Sequence, residues 1–252
     1  MNAGRLTVLL TRPQRQQEPL RTLFQEAGAT VLSQPTIEIR PPQSWTQIDP
    51  VLQRLGSFDW LVFASSNGVE FFLDRISTVI SLPTTKMPKI CAIGTGTAAA
   101  LENRGQNVHL IPMPHTAEGV VAALSSEVRG GKKTLLIRAS RGRTLMFDEL
   151  SAASPHSDGV EEIAVYESVD IEKPAPEIAS LLESGEIDWT TCTSSAIAAS
   201  LVRMFGESLR KTKLVSISPI TTQTVRNLGF DVAAESQDAT MPGIFHAVCS
   251  FR

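Results

Sequence analysis

FDWLVFASSNGVEFF, residues 58–72, combines a strand pattern with a helix pattern, and this combination decides the fold. The apolar run ends at Ala64, small polar residues follow, and apolar residues then return at helical spacing. This order predicts a buried β-strand, a turn and an α-helix. Asn67 is the candidate N-cap, because Glu70 three residues later completes a capping-box pattern. Such a unit is typical of parallel α/β proteins.

The second half of the chain repeats the first half in the same order. IDWTTCTSSAIAASL (187–201) repeats the quoted stretch at an offset of 129 residues, since Asp188 matches Asp59. Three further pairs are TVLLTRP (7–13) with TLLIRAS (134–140), KICAIGTGTAAALENRGQNV (89–108) with KLVSISPITTQTVRNLGFDV (213–232), and TAEG (116–119) with TMPG (240–243). Four ordered matches at nearly constant spacing indicate two related α/β units. The repeat alone divides the chain near residue 128.

Length and charge restrict the class of protein. A chain of 252 residues can form two ordinary domains. Its net charge of −3 gives no overall attraction for nucleic acid or for an anionic membrane. The first apolar run, residues 6–10, is too short for a signal sequence or a membrane span. We therefore expect a cytoplasmic protein that binds neither nucleic acid nor membranes.

The cysteines and histidines do not indicate a metal site or a disulfide framework. Cys91, Cys192 and Cys249 lie far apart in apolar runs, which indicates reduced thiols in the core. The four histidines show no spacing typical of metal ligands. The sequence thus predicts a protein without a bound metal.

The glycine-rich turn GTGTAA (94–99) has the outline of a dinucleotide-binding turn. Its counterpart in the second half, SPITTQ (218–223), keeps neither glycine. A dinucleotide site also needs an acidic residue about 20 positions further on, at the end of the next strand, and the strand NVHLIP (107–112) and the residues after it offer none before Glu118. The pattern therefore disfavours nicotinamide or flavin binding, although a nucleotide-dependent enzyme stays open as an alternative.

Small polar residues and arginines follow the predicted strands of both halves. In parallel α/β sheets, ligands bind beyond the carboxyl ends of the strands, where helix N-termini present free N–H groups. These turns predict two rims of donors that suit a ligand with several carboxylates or phosphates. A non-catalytic two-lobed binding or sensor module is an alternative with the same features. The candidate binding residues are Thr11, Arg12, Ser65, Ser66, Asn67 and Thr97 in the first half and Arg138, Ser194, Ser195 and Thr221 in the second.

Tyr166, the only tyrosine, lies in the predicted strand EEIAVYES (161–168). Alternation with the apolar residues Ile163 and Val165 predicts that its ring lies on the other face or at an edge. There the phenol could donate a hydrogen bond to a ligand, while a packing role is equally compatible with the pattern.

The combined motifs resemble the uroporphyrinogen-III synthase family along almost the whole chain. The motifs that carry the resemblance are TRP (11–13), DWLVFASSNGV (59–69), AIGTGTAAAL (92–101), AEG (117–119), VY (165–166), DWTTCTSS (188–195) and SPITTQTVRNLG (218–229). The resemblance implies two flavodoxin-like domains, each a three-layer α/β domain with a parallel sheet, joined by a two-stranded linker. Residues 1–38 plus 172–252 would form one domain and residues 46–163 the other, with linkers at 39–45 and 164–171.

The same resemblance implies an activity and its ligand. Linear hydroxymethylbilane, which carries eight carboxylates, would lose water and close to uroporphyrinogen III with inversion of its last pyrrole ring, without a cofactor. Tyr166 would assist the departing hydroxyl as a proton donor, and Thr97, Thr221 and the serines and asparagine of the neighbouring turns would bind the substrate. We further expect a monomer that makes, at most, transient contact with the preceding enzyme of the pathway.

Overall fold

The computed structural model describes residues 6–79 and 87–251. The strands are β1 (Thr7–Leu10), β2 (Thr30–Ser33), β3 (Ile37–Arg40), β4 (Trp60–Phe63), β5 (Lys89–Ala92), β6 (Thr134–Ala139), β7 (Val160–Asp170), β8 (Trp189–Cys192), β9 (Lys213–Ser216) and β10 (Ala234–Glu235). The helices are α1 (Glu18–Glu26), α2 (Asp49–Gln53), α3 (Ser66–Val79), α4 (Thr95–Asn103), α5 (Ala117–Arg129), α6 (Leu145–Ala153), α7 (Pro176–Glu183), α8 (Ser195–Phe205), α9 (Pro219–Asn227) and α10 (Met241–Cys249). Three short 3-10 helices are Gln14–Gln16, Leu55–Ser57 and Gly206–Lys211.

The described residues group into two compact units, each built on one sheet. Unit 1 comprises residues 6–38 and 169–251, and unit 2 comprises residues 39–79 and 87–168. The sheet of unit 1 has the strand order β10-β9-β8-β1-β2, and all its pairs are parallel. The second sheet has the order β3-β7-β6-β4-β5, with parallel pairing from β7 through to β5. The expected α/β class with parallel sheets is therefore confirmed. Residues 1–5 and 252, at the ends of the first expected domain, lie outside the described residues.

The sequence repeat is also a repeat of strand order. By the sequence offsets, β1, β8 and β9 correspond to β6, β4 and β5. The order β9-β8-β1-β2 in unit 1 then matches β5-β4-β6-β7 in unit 2. Each sheet therefore takes strands from both sequence repeats.

Alternation along the central strands places apolar side chains on both faces of each sheet. In β4, Leu61 and Phe63 join the core cluster on one face, while Trp60 and Val62 join the cluster on the other. Strand β1 of unit 1 alternates in the same way between its two clusters. All four residues of β4 are buried because helices cover both faces of a parallel sheet. Because helices cover both faces of the sheet, the polar residues lie at the carboxyl ends of the strands.

The matching motifs TAEG and TMPG start two equivalent helices. Thr116 caps α5 and Thr240 caps α10, and each hydroxyl accepts the N–H of the glycine three residues later. A Cβ on Gly119 would lie 2.0 Å from the carbonyl oxygen of Pro114, and one on Gly243 would lie 2.2 Å from a serine hydroxyl oxygen. Both helices can therefore pack against the preceding turn only with glycine at this position.

The expectation that Asn67 caps the quoted helix is wrong. The helix α3 already begins at Ser66, and Ser65 Oγ accepts the N–H of Gly68 at 3.0 Å. Ser65 is thus the residue whose side chain caps the helix, which places Asn67 inside the first turn. Among the described residues, no helix has both the length and the apolar character needed to cross a membrane.

Candidate active site

In unit 2, a hydroxyl group just after the end of β4 meets a phenol within β7. Ser65 Oγ and Tyr166 OH lie 3.0 Å apart. Tyr166 is 7% exposed, and its ring stacks on Phe71 with the ring centroids 5.8 Å apart. Since Ser65 Oγ also accepts the N–H of Gly68, a hydrogen-bonded chain connects the phenol to the first turn of α3. The phenol oxygen is therefore held in a defined position beside a helix N-terminus.

The expected face of Tyr166 is wrong. Its ring belongs to the same core cluster as Ile163 and Val165. The pairing of β7 with β6 shifts after Arg138, so that Ala139 pairs with Tyr166 and Val165 is the extra residue. A bulge of this kind breaks the simple alternation along a strand and redirects the following side chain.

The other predicted residues of unit 2 lie at the starts of α3 and α4. Ser66 and Asn67 are in the first turn of α3, whose N–H groups have no partners within the helix. Thr97 is in the first turn of α4, 6% exposed, and its N–H bonds to the carbonyl oxygen of Gly94. These helix starts offer amide donors at the carboxyl ends of β4 and β5.

Arg138 of unit 2 is paired with a carboxylate. Its Nη1 donates to Glu162 Oε2 at 2.8 Å, and its Nη2 donates to the carbonyl oxygen of Gly142 at 3.2 Å. The side chain is only 12% exposed, compared with 33% for Glu162. The charge of this arginine is therefore largely neutralised before any ligand binds.

The predicted serines and threonine of unit 1 also lie at helix starts. Ser194 caps α8 by accepting the N–H of Ile197 at 3.2 Å. Ser195 Oγ accepts from Thr224 Oγ1 at 2.8 Å, which links the first turn of α8 to α9. Thr221 is 2% exposed, and its hydroxyl lies 3.2 Å from Ser218 Oγ, the cap of α9. These hydroxyls order the helix starts and thereby fix the amide donors.

Thr11 fastens two strands together. Its hydroxyl is fully buried and donates to the carbonyl oxygen of Thr191, while Thr191 Oγ1 donates to the carbonyl oxygen of Leu9 at 3.2 Å. These bonds lie just beyond the pair Leu9 and Thr190 in the ladder between β1 and β8. The hydroxyl of Thr11 is thus engaged within the sheet.

Arg12 follows directly after Thr11 and differs from Arg138. Its Nη2 donates to Gln16 Oε1 at 2.9 Å, and its Nη1 lies 3.8 Å from the sulfur of Met241. Nε is buried without a hydrogen-bond partner, and among residues 6–79 and 87–251 no carboxylate forms an ion pair with this arginine. Burial lowers the pKa of the Arg12 guanidinium from its ordinary value. The side chain nevertheless remains a cation at neutral pH.

Two residues on segments next to Arg12 were not among the binding residues predicted from the sequence. Thr36 is fully buried and Thr193 is 6% exposed, and the hydroxyl of each has no hydrogen-bond partner within the described structure. Thr193 adjoins the predicted Ser194, and its counterpart in the first repeat is Ala64, so this difference between the repeats was a usable signal. Thr36 carries no comparable signal, because it belongs to none of the repeated motifs.

The described residues contain no group of three or more histidine, cysteine, aspartate or glutamate side chains that could hold a metal ion. Cys91 and Cys192 are buried, and burial raises the pKa of each thiol to about 12. These two thiols are therefore protonated core groups at neutral pH.

The family model described as uroporphyrinogen-III synthase HemD matches residues 18–246 of the chain. The chain belongs to the uroporphyrinogen-III synthase family. This is a family of cyclising lyases in tetrapyrrole biosynthesis, which confirms the family and the enzyme class expected from the motifs.

Two relatives of the family match over nearly their whole length. The uroporphyrinogen-III synthase of Synechococcus elongatus is 27% identical over 250 residues, covering 96% of this chain and 94% of the relative. The uroporphyrinogen-III synthase of Chlorobaculum parvum is 25% identical over 232 residues, covering 90% of this chain and 91% of the relative. The similarity thus extends across both units.

Two solved structures share the fold. A mutant uroporphyrinogen III synthase from Thermus thermophilus superposes with a TM-score of 0.69 at 16% identity, covering 97% of each chain. The uroporphyrinogen-III synthetase of Helicobacter pylori gives a TM-score of 0.65 at 18% identity, covering 98% of this chain and 100% of the other. At these identities the match concerns the fold alone.

Proposed function

We propose that the chain acts on hydroxymethylbilane and closes it to uroporphyrinogen III, with loss of water and inversion of the last ring. The observation that carries this proposal is the family match over residues 18–246 together with the hydrogen-bonded Tyr166 of unit 2. The substrate is a polycarboxylate, and the strand ends of each unit carry amide donors at helix starts. These donors suit a ligand with several anionic groups.

The first step needs a proton on the terminal hydroxyl of the substrate, so that the C–O bond breaks and water leaves. Tyr166 is the proposed proton donor. As the phenol gives up its proton, Ser65 can donate its own hydroxyl hydrogen to the phenolate oxygen. Ser65 Oγ is in turn 3.0 Å from the N–H of Gly68 at the positive end of α3, which favours the negative charge.

Ring closure then depends on position. The cation left on the terminal carbon is attacked by the substituted carbon of the last pyrrole ring, which forms a spiro intermediate. The bond from the spiro carbon to the methylene of the preceding ring then breaks, and that methylene bonds to the free α-carbon of the last ring. Loss of the proton from this carbon restores the aromatic pyrrole with the ring inverted. Holding the two ends of a flexible chain in reacting geometry can lower the barrier by roughly 7 to 11 kcal/mol.

Binding is assigned to the helix starts and to one arginine. We propose that the first turns of α3, α4, α8 and α9, ordered by Ser65, Thr97, Ser194 and Thr221, supply amide donors to the carboxylates. Ser66, Asn67 and Ser195 belong to the same turns, and Arg12 adds a cation. Thr11 supports this arrangement from within the sheet, and Arg138 contributes little because Glu162 neutralises it.

The proposed domain organisation is two flavodoxin-like domains joined by a two-stranded linker. Numbered along the chain, the sheet of unit 1 has the order 2-1-3-4-5, the order found in flavodoxin-like sheets. The division between the units falls inside β3 and β7, which are neighbours in one sheet. These observations support domains of residues 1–38 plus 172–252 and 46–163. A cytoplasmic monomer with transient contact to the preceding enzyme of the pathway remains part of the proposal.

An isomer-resolved assay tests the function. Hydroxymethylbilane is generated in place from porphobilinogen, and the oxidised products are separated by isomer. We expect isomer III to dominate when the protein is present. Formation of isomer I alone, at the spontaneous rate, would contradict the proposal, and tight binding without turnover would favour a sensor module. Micromolar binding of NAD(P) in calorimetry would instead favour a nucleotide-dependent enzyme.

A further inference from the structure

Three buried polar atoms without partners lie on neighbouring segments of unit 1. They are Thr36 Oγ1 just after β2, Arg12 Nε just after β1, and Thr193 Oγ1 just after β8. Buried polar atoms in folded proteins are nearly always hydrogen-bonded, so three orphans at one edge of a sheet need an explanation.

The sheet register places these residues at the same level. Leu9 pairs with Thr190, and three residues further along each strand lie Arg12 and Thr193. On the other side, the N–H of Thr36 donates to the carbonyl oxygen of Thr11 at 3.1 Å. Neighbouring strands lie about 4.8 Å apart. The three segments that carry these residues therefore lie side by side at the carboxyl end of the sheet, following strands β2, β1 and β8.

Within the part of the chain that the structure describes, no carboxylate forms an ion pair with the cation at this edge, Arg12. The guanidinium of Arg12 is half-buried, and its partners among the described residues are a glutamine oxygen and a thioether. The helix α8, which is 11 residues long, begins next to Thr193. Ser194 occupies one amide of its first turn, that of Ile197, and the amides of Ser195 and Ala196 have no partners within the helix. A partly desolvated cation favours an anion, and so do the amide donors at a helix N-terminus.

We propose that Arg12, Thr36, Thr193 and the first turn of α8 form a binding site for one carboxylate, that of an acetate or propionate side chain of the substrate. The proposal rests on the proposed function and adds Thr36 and Thr193 to the residues that bind substrate. Both hydroxyls can donate to a carboxylate oxygen, and Nε of the guanidinium supplies a third donor. A carboxylate in this position would satisfy all three orphaned atoms.

The test compares Arg12→Gln, Thr36→Val and Thr193→Val in the isomer-resolved assay, with kcat and KM measured separately. Hydrogen bonds to charged groups are strong, so Arg12→Gln should raise KM by about tenfold or more and each valine variant by about fivefold. We expect kcat to stay within about twofold, because the site binds a group remote from the reacting carbon. Arg12→Lys should recover part of the lost affinity.

Thermal unfolding without substrate provides a readout that does not depend on activity. Valine has nearly the shape of threonine and removes an unsatisfied hydroxyl, so Thr36→Val and Thr193→Val should keep or raise the unfolding midpoint. A hydroxyl that served the fold would give the opposite result. The fully buried Thr191 is the control for this opposite result. Its hydroxyl donates to the carbonyl oxygen of Leu9, so Thr191→Val should lower the midpoint.

Thr134→Val is the matched control. Thr134 is also fully buried with an unpartnered hydroxyl, but it lies at the amino end of β6 in unit 2. This variant should leave KM unchanged. Unchanged KM in Arg12→Gln and both valine variants, or lowered midpoints with unchanged KM, would overturn the site. The wild-type protein would still form isomer III in that case, which separates failure of the site from failure of the proposed function.

Discussion

Equivalent strand ends of the two units carry different chemistry. Thr30 in unit 1 and Val160 in unit 2 each pair with the first residue of the equivalent strands β1 and β6. Six residues further along lie Thr36 and Tyr166 (36 − 30 and 166 − 160). The phenol of Tyr166 has a serine hydroxyl as partner, whereas the hydroxyl of Thr36 has no partner within the described structure. One scaffold thus holds a hydrogen-bonded hydroxyl in unit 2 and an unsatisfied hydroxyl in unit 1.

The arginines at the strand ends also differ between the two units. In unit 1, Arg12 and Thr193 keep buried polar atoms without partners, and the repeat places Ala139 and Ala64 at these positions in unit 2. The predicted arginine of unit 2, Arg138, is paired with a carboxylate. With the proposed roles of Tyr166 and Arg12, a repeated fold would divide proton transfer and anion binding between its copies through a few residues at the strand ends.

The largest effect, on the free energy of unfolding, is expected at two glycines that occupy equivalent positions in the two units. Gly119→Ala and Gly243→Ala should each lower the free energy of unfolding by about 3 kcal/mol or more, because the new Cβ would lie within 2.2 Å of a neighbouring oxygen. Urea unfolding followed by circular dichroism measures this loss. The control is Gly96→Ala, where a Cβ would meet nothing within 4 Å. It should stabilise by about 0.5 to 1 kcal/mol, since the other repeat has Ile220 there. Equal losses in all three variants would contradict the prediction.

Tyr166→Phe in unit 2 should lower turnover, whereas a change at the equivalent position of unit 1 should not. The variant removes only the hydroxyl, so we expect kcat to fall by more than about tenfold while the unfolding midpoint stays near that of the wild type. Thr36→Val at the equivalent position of unit 1 should leave kcat nearly unchanged. Turnover of Tyr166→Phe close to the wild-type value would remove the phenol from the mechanism.

Each unit contains one buried thiol, and alkaline pH should weaken both units similarly. Burial raises the pKa of Cys91 and of Cys192 to about 12 from an ordinary value of 9.0. The native state therefore keeps protons that the unfolded state releases between pH 9 and 12, so stability is fully present below pH 9 and falls as pH rises. Between pH 8 and 10, Cys91→Ala and Cys192→Ala should each lose about 1 kcal/mol less than the wild type in urea unfolding. Identical pH dependence in all three proteins would be the contrary result.

The smallest effect concerns the paired arginine. Arg138→Gln should raise KM by less than about threefold, because Glu162 already neutralises the charge of Arg138. Replacing this ion pair with one to a substrate carboxylate would add little binding free energy. Arg12→Gln, measured beside it, should have the larger effect. If Arg138→Gln raised KM more than Arg12→Gln, the assignment of anion binding to unit 1 would be reversed.

Much of the fold could be predicted from the sequence because burial leaves a clear pattern. The runs around Trp60 and Trp189 are apolar, end in small polar residues and recur at constant spacing, so the strands and helices that follow them were predictable. The register was less accessible. The bulge at Val165 arises from pairing with β6, which no local pattern contains, and it turned Tyr166 towards the core side that alternation had excluded.

The candidate site was predictable in its position and less so in its members. Serine and threonine after a strand indicate a helix cap, and Ser65, Ser194 and Thr221 indeed order helix starts. The sequence could not distinguish Arg12 from Arg138, because the difference lies in whether a carboxylate packs beside the guanidinium. Whether a buried hydroxyl has a hydrogen-bond partner depends on the tertiary structure. Thr36 is therefore recognisable only from its side-chain hydroxyl, which has no partner among the described residues.

Because each sheet takes strands from both sequence repeats, the protein should not separate into two independent halves. Cleavage at the turn Gly130–Gly131 would give one fragment with strands β1 to β5 and another with strands β6 to β10. Neither fragment would contain a complete sheet, and each would expose strand edges that its partner normally covers. We therefore expect the fragments to be unfolded alone and to regain isomer III formation when mixed, which makes this turn a natural split point for a complementation reporter.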